Sequence, residues 1–433
     1  KIYLNNSVAA SNTSLTANNT PNTTSGGVNT LGYYNTGSST TGSLNGKLDQ
    51  VRIFNKAISA AEVTTLYNEI QCANTIDTPE SYFNTVTYNN PSTSQAYAVG
   101  FAPDFIWFKH RNGTSSHQLY DTIRTDHNAL FSNTTDAQYD YSNHPNGDLA
   151  PTITSTGFTT PAVVNNGLNN SSGTYVAWSW KAASSNTTNN DGTLTSTVRA
   201  SQESGFSIVR YTGTSNYSDT LGHGLTKAPR MIIQKGISNT TNWYVLIDLT
   251  ENGNWDWAKL DTNQAFSPDN PTRFSANSKT INNWGWTGYD MINYCFHDVP
   301  GYQRIGTYVG NGSNTGPYIY TGFEPAWIMI KRTDSAGAYN IFDNKRNSTN
   351  PRNSILQANV NDLEYTNTSY NFNFYDNGFQ PLNSNADWNA SGGSYMFIAI
   401  AANPDTSAPT KANSFNIKLY TGNDSNNRSI TGL

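Results

Sequence analysis

The run Gly100-Phe101-Ala102-Pro103-Asp104-Phe105-Ile106-Trp107-Phe108-Lys109 is written three times in this chain, with variations. It returns as Gly224-Leu225-Thr226-Lys227-Ala228-Pro229-Arg230-Met231-Ile232-Ile233-Gln234-Lys235 and again as Gly322-Phe323-Glu324-Pro325-Ala326-Trp327-Ile328-Met329-Ile330-Lys331. Each version is a glycine turn, a proline, an apolar run and a lysine. Glycine permits positive φ at the turn. Proline fixes the start of a strand at a position where no ladder bond is lost. An apolar run without alternation predicts a strand covered on both faces. A repeating unit of this kind governs the fold before any single motif does.

Spacing extends the repeat outward. Asp121 and Asp343 lie twelve residues after their lysines, and Asp248 lies thirteen after Lys235. The closing strands read as Tyr175-Val176-Ala177-Trp178-Ser179-Trp180 and Phe397-Ile398-Ala399-Ile400-Ala401-Ala402, with Met291-Ile292-Asn293-Tyr294-Cys295-Phe296 between them. On that alignment Cys295 takes the place of Ser179 and Ala401, so it reads as a small packed residue. Leading strands precede the copies, most clearly Phe206 to Gly213 and Tyr302 to Gly310. Phe415 to Gly422 opens a fourth copy, so the polypeptide is expected to continue beyond residue 433. Lys1 stands first, without Met or a signal-peptide pattern, which suggests a fragment or processed product.

Composition agrees with short strands and turns. Charged residues make up only 13%, against about 25% in ordinary soluble domains. Asn, Thr, Ser and Gly therefore supply the polar surface. Aromatic content of 12% separates the chain from disordered tracts. The net charge of −5, with no basic stripe, disfavours a nucleic-acid partner, which needs cations against phosphates. No run of 18 apolar residues occurs, so no membrane insertion is expected.

Residues 1–70 differ from the rest. Lys1 to Asn6, Thr30 to Tyr34 and Gly46 to Phe54 read as strands. Ser59 and Glu62 form a capping box at the start of a helix over Ser59–Glu69. The order Gly46-Lys47-Leu48-Asp49-Gln50-Val51-Arg52-Ile53-Phe54, then Asn55 to Val63, then Leu66-Tyr67-Asn68, resembles the C-terminal part of laminin-G-like, concanavalin-A-like jelly rolls. The resemblance implies a binding scaffold and no particular reaction. The repeats, over roughly residues 77–433, resemble a module of unassigned function common in structural proteins of marine bacteriophages. That resemblance implies a location on the virion surface or otherwise extracellular.

The expected fold is all-β: tandem β-sandwich or jelly-roll-like modules in an elongated array. Its parts are the jelly-roll segment 1–70, module one at 77–182, a Ser/Thr/Asn/Gly-rich linker at 183–201, module two at 202–299, module three at 300–403, and a linker with the start of a fourth module at 404–433. Between modules two and three, Val299-Pro300-Gly301-Tyr302 leaves no linker, which predicts a rigid pair.

Candidate sites are few. A glycosidase needs two placed carboxylates, whereas Asp121 and Asp343 recur with the repeat and read as turn residues. No nucleophile elbow, HExxH motif or phosphate loop occurs. His110, His117, His127 and His144 fall in module one at spacings that fit no standard metal site and read as surface or loop residues. Asn/Asp-rich loops could hold Ca²⁺ through oxygens, but no twelve-residue EF-type loop occurs, so no metal or other cofactor is expected. Cys72 and Cys295 lie far apart and read as buried thiols. Trp255-Asp256-Trp257 and Trp284-Gly285-Trp286 place aromatic residues at i and i+2, on one side of a strand. Trp255, Trp257, Trp284 and Trp286 are either packing residues or a sugar-stacking platform.

The functional expectation is a non-enzymatic structural component of a bacteriophage appendage, such as a tail fibre, head fibre or surface decoration, with host-glycan attachment as an added role. Its partners would be further copies of itself, as a homotrimer, and other virion proteins. A secreted bacterial adhesin or lectin is the alternative, and a polysaccharide depolymerase a third class.

Overall fold

The computed structural model describes residues 76–402, except for 77, 90–92, 143, 163–166, 251–252, 270–272 and 368–369; of residues 1–75 it describes four strands. Those four form two antiparallel pairs, Ile2–Leu4 with Ser7–Ala10 and Tyr33–Asn35 with Thr40–Ser43. The expected helix Ser59–Glu69, the strand Gly46–Phe54, Cys72 and the fourth copy lie outside the described residues. Lys1–Ala73 and Asn74–Leu433 are separate compact units.

The fold is all-β. In the second unit each copy builds one large antiparallel sheet in the same order. Copy one runs Phe83–Asn89, Thr174–Trp180, Phe105–His110, Gln118–Asp121, Thr125–Leu130, Tyr139–Asp140 across the sheet. Copy three repeats this with Gln303–Val309, Ser394–Ile400, Trp327–Arg332, Asn340–Asp343, Ser354–Gln357, Tyr365–Thr366. Copy two repeats it from Phe206–Thr212 to Ser267–Pro268 and adds two outer strands, Thr187–Asn189 and Ser196–Ser201. Residues 183–201 are therefore no plain linker. Val198 opposes Val209 and is buried, which a reading based on Ser and Thr content could not register.

The three lysines occupy one register position. Lys109 pairs with Val176, Lys235 with Ile292 and Lys331 with Met396, each on the strand next to the closing strand. The turn glycines Gly100, Gly224 and Gly322 all have positive φ, between 74° and 96°. The lysine strands are buried on both faces. One face packs on a smaller sheet of its own copy, as Ile106 and Phe108 do beside Phe158 in copy one. The other face enters a core shared by all three copies. Phe105, Trp107, Leu119 and Trp180 meet Met231, Ile233, Tyr294, Phe296, Trp327, Met329 and Ile398 around an apolar void of about 10 Å³, which offers a water no polar partner.

Two register expectations need correction. The closing strand of copy three equivalent to Thr174–Trp180 is Ser394–Ile400, so Tyr395, not Phe397, matches Tyr175. Apolar alternation has period two, so a slip of two residues leaves every face unchanged and is invisible in the pattern. Cys295 therefore matches Ser179 and Ala399 rather than Ala401. Similarly, Phe105 pairs with Asp121 and Trp327 with Asp343, but Met231 pairs with Ile247, so Asp248 is not their equivalent.

The expected elongated array does not describe these copies, because they close head to tail. The Lys109 amine donates to Asn361 O of copy three (3.3 Å), Lys235 to Thr135 O of copy one (2.9 Å), and Lys331 to Asn263 O of copy two (3.5 Å). Three residues past each acceptor, a backbone N–H returns the contact. Glu364 N donates to Arg111 O (2.6 Å), Gln138 N to Ile237 O (3.0 Å) and Phe266 N to Thr333 O (2.9 Å). Copy one thus holds three, three holds two, and two holds one, which is a ring with approximate threefold symmetry. The apolar face of each large sheet forces the closure: a linear array would leave it wet, at about 1.5–3 kcal/mol for each large side chain.

Candidate functional site

Several of the most strongly buried ionisable groups are engaged at the ring junctions. Each lysine is almost fully buried, and burial pulls its amine down to about 8 from 10.5. Backbone carbonyls take the donors; Lys331, for example, also donates to Arg332 O at 2.6 Å. Two junctions carry an additional triad. Asp121 accepts from Arg124 Nε (2.6 Å) and from the Tyr294 hydroxyl of copy two (2.6 Å). Asp343 accepts from Arg346 Nε (2.5 Å) and from the Trp178 indole N–H of copy one (3.0 Å). Burial pushes the Asp343 carboxyl up, but Arg346 and the hydrogen bonds outweigh it and hold the group below its usual value. At the third junction Ile247 and Thr250 stand at the Asp and Arg positions, and Ile398 at the donor position. Acid, base and donor are lost together, as a buried charge without its partner would be costly.

The four tryptophans proposed as a stacking platform do not share one fate. Trp255 is 4% exposed with its ring 4.7 Å from that of Phe274, and Trp284 is 7% exposed beneath Arg273, whose guanidinium carbon lies 4.6 Å from the ring centre. Neither offers a face to a sugar, because both pack into the core of copy two. Trp257 and Trp286 are half-buried. They flank Tyr244 at 5.7 and 5.6 Å, tilted by 51° and 47°. Tyr244 sits on the neighbouring strand, so no sequence-local signal joins it to the pair. The platform that remains is Trp257, Tyr244 and Trp286.

The histidines of copy one are structural in part. His117, expected at the surface, is fully buried: its Nδ1 accepts from the Trp107 indole N–H (2.8 Å) while Nε2 faces Gln357 O of copy three (3.1 Å). His110 is buried and stacks on Tyr175 at 4.8 Å, whereas His127 pairs with Asp148 at 2.9 Å. The expectation failed because a neutral imidazole with both nitrogens satisfied can sit in a core. Among the described residues no three His, Cys, Asp or Glu side chains group as a metal site. Cys295 is fully buried, and burial pushes its thiol up to about 12.

The fold defines a three-copy, all-β ring whose junctions are built from repeated lysines. The chain belongs to the family described as Domain of unknown function (DUF7483), whose match spans all three copies, residues 78–404. Residues 1–64 match the Concanavalin A-like lectin/glucanases superfamily, which supports a jelly-roll lectin-like fold there. No curated protein and no solved structure matches the chain.

Proposed function

We propose that this chain is a structural component of a bacteriophage appendage that also contributes to attachment at host-surface glycans. The observation that carries the proposal is the use of the buried charges. Lys109, Lys235 and Lys331, with the Asp121 and Asp343 triads, are engaged in holding copy to copy rather than converging on a cavity. That favours a scaffold over a catalyst. The lectin-like segment and the half-exposed Trp257 and Trp286 supply the glycan part of the reading. Homotrimerisation belongs to the same proposal. It would use the outer faces of the ring, since the inner faces are already consumed within one chain.

The alternative is a secreted adhesin or lectin, which the lectin-like segment favours equally. Gold-labelled antibodies against the purified chain separate the two. Label on projections of phage particles supports the first reading, and label confined to a bacterial envelope or culture medium supports the second. Turnover of a surface polysaccharide, abolished by one carboxylate substitution, would refute both.

A further inference from the structure

Copy three carries a cleft of about 460 Å³ that the repeat alone does not explain. Its aromatic wall is Tyr365 and Tyr370, with the buried Trp388 behind them, the ring centres 5.8 and 5.4 Å apart in succession. Tyr365 is 53% exposed. Asp362, Asp387 and Asn385 bring polar groups to the same space. Among the described residues none donates a hydrogen bond to the Asp387 or Asp362 carboxylate, although the backbone N–H of Asp387 is capped by Asn385 at 2.8 Å.

The repeat supplies an internal control. A backbone N–H bonds the tyrosine hydroxyl that opens each closing strand, Ala390 to Tyr395 (2.7 Å) and Asn170 to Tyr175 (2.6 Å). Counting back from that shared contact, Asp387 and Trp388 correspond to Gly167 and Leu168. A Cβ at Gly167 would lie 2.5 Å from Gln118 Nε2, so in copy one the glutamine closes this space. Copy three has the shorter Asn340 at the Gln118 position, and the cleft opens there. The carboxylate is thus particular to copy three and unnecessary for the fold of the repeat, while the indole packs the copy-three core against Phe342 and Phe372.

Unpaired carboxylate oxygens demand donors, and an aromatic wall demands an apolar face. No Lys or Arg lines the cleft to receive an anion. Lys331 and Arg332 near Asp387, and Lys109 near Asp362, offset the two negative charges and so disfavour a cation. We infer that the cleft binds a neutral hexose, its apolar face on Tyr365 and its hydroxyls donating to Asp387 and Asp362. A pocket of this size suits a small ligand. The inference deepens the glycan-attachment part of the proposed function, yet it is tested on the purified chain and does not depend on where the chain is mounted.

Saturation-transfer NMR on the full chain, with methyl glycosides of glucose, galactose and mannose, glucuronic acid and tetramethylammonium as probes, tests it. Transfer to at least one neutral hexose, absent for the acid and the cation, is expected. Tyr365→Ala and Asp387→Asn should each weaken that binding at least tenfold, with thermal unfolding unchanged, while Trp286→Ala leaves it intact. Transfer to no neutral hexose, preference for the acid or the cation, binding retained in both cleft variants, or binding lost in Trp286→Ala would each overturn the assignment. Sugar binding by a chain that antibodies fail to find on particles would sink the virion proposal and leave this one standing.

Discussion

Substituting methionine for Lys331 tests the ring junctions through their response to pH. In the folded chain the Lys331 amine titrates at about 8, against 10.5 for a lysine in water, because it is buried beside the Tyr339 ring and two carbonyls. Below pH 8 both folded and unfolded states hold the proton, and stability from this group is flat. Between 8 and 10.5 the unfolded chain binds more protons than the folded one, so stability rises with pH. At about 1.4 kcal/mol per pH unit, the gain by pH 9.5 is roughly 2 kcal/mol for each lysine. Above about 10 the buried tyrosines act in the opposite sense, because their raised values hold protons that the unfolded chain releases. Urea unfolding of the wild-type chain and Lys331→Met at pH 7, 8, 9 and 9.5 is the assay. The stability difference between them should shift by roughly 2 kcal/mol in favour of the wild type from pH 7 to 9.5. A difference that stays constant across this range would refute the burial argument.

The Asp343→Ala variant should lose about 1.5–3 kcal/mol in the same assay, because the buried Arg346 loses its Nε partner and keeps Glu364 as its counter-charge. Trp178→Phe, which keeps an aromatic side chain but removes the donor to Asp343 and leaves a cavity where the larger indole stood, should cost at least about 1–3 kcal/mol. Ile247→Asp alone should be strongly destabilising, since neither arginine nor donor stands ready at that junction; a near-neutral melt would show that the third junction is not equivalent to the other two. In glycan-array binding, Trp257→Ala should weaken any signal that depends on the copy-two platform, while Trp255→Ala should act mainly through a lower melting temperature. Native Cys295 should resist a thiol reagent at pH 8 and react only after denaturation, which absorbance of the released reporter would record.

What the sequence made legible is what local pattern encodes. The glycine-then-proline signature marked three positive-φ turns and the strands after them, and the lysines fell in one register. Closure of the ring was not legible. It depends on contacts such as Lys109 with Asn361, 252 residues apart, and no local periodicity reports which carbonyl a buried amine will meet. The same limit divided the tryptophans: Trp255 and Trp257 share a motif, but Phe274 and Arg273, distant in sequence, decide which rings are covered. The copy-three cleft was missed because its signal is a difference between repeats, Asp387 and Trp388 against Gly167 and Leu168. The mis-set closing strand had hidden that comparison.

A ring closed by its first and last copies also sets an order of events during synthesis. Copy one emerges from the ribosome with Phe105, Trp107 and Trp180 on a face that only the later copies can cover. The acceptor for Lys109 is Asn361, and the acceptor for the Trp178 indole is Asp343, so the nascent chain carries an unfinished apolar surface through more than a hundred residues of further elongation. Domains that fold as separate beads would be protected one by one. Here protection comes to all three together, and a chain cut short after copy two is committed to exposing the aromatic face that copy three would have sealed.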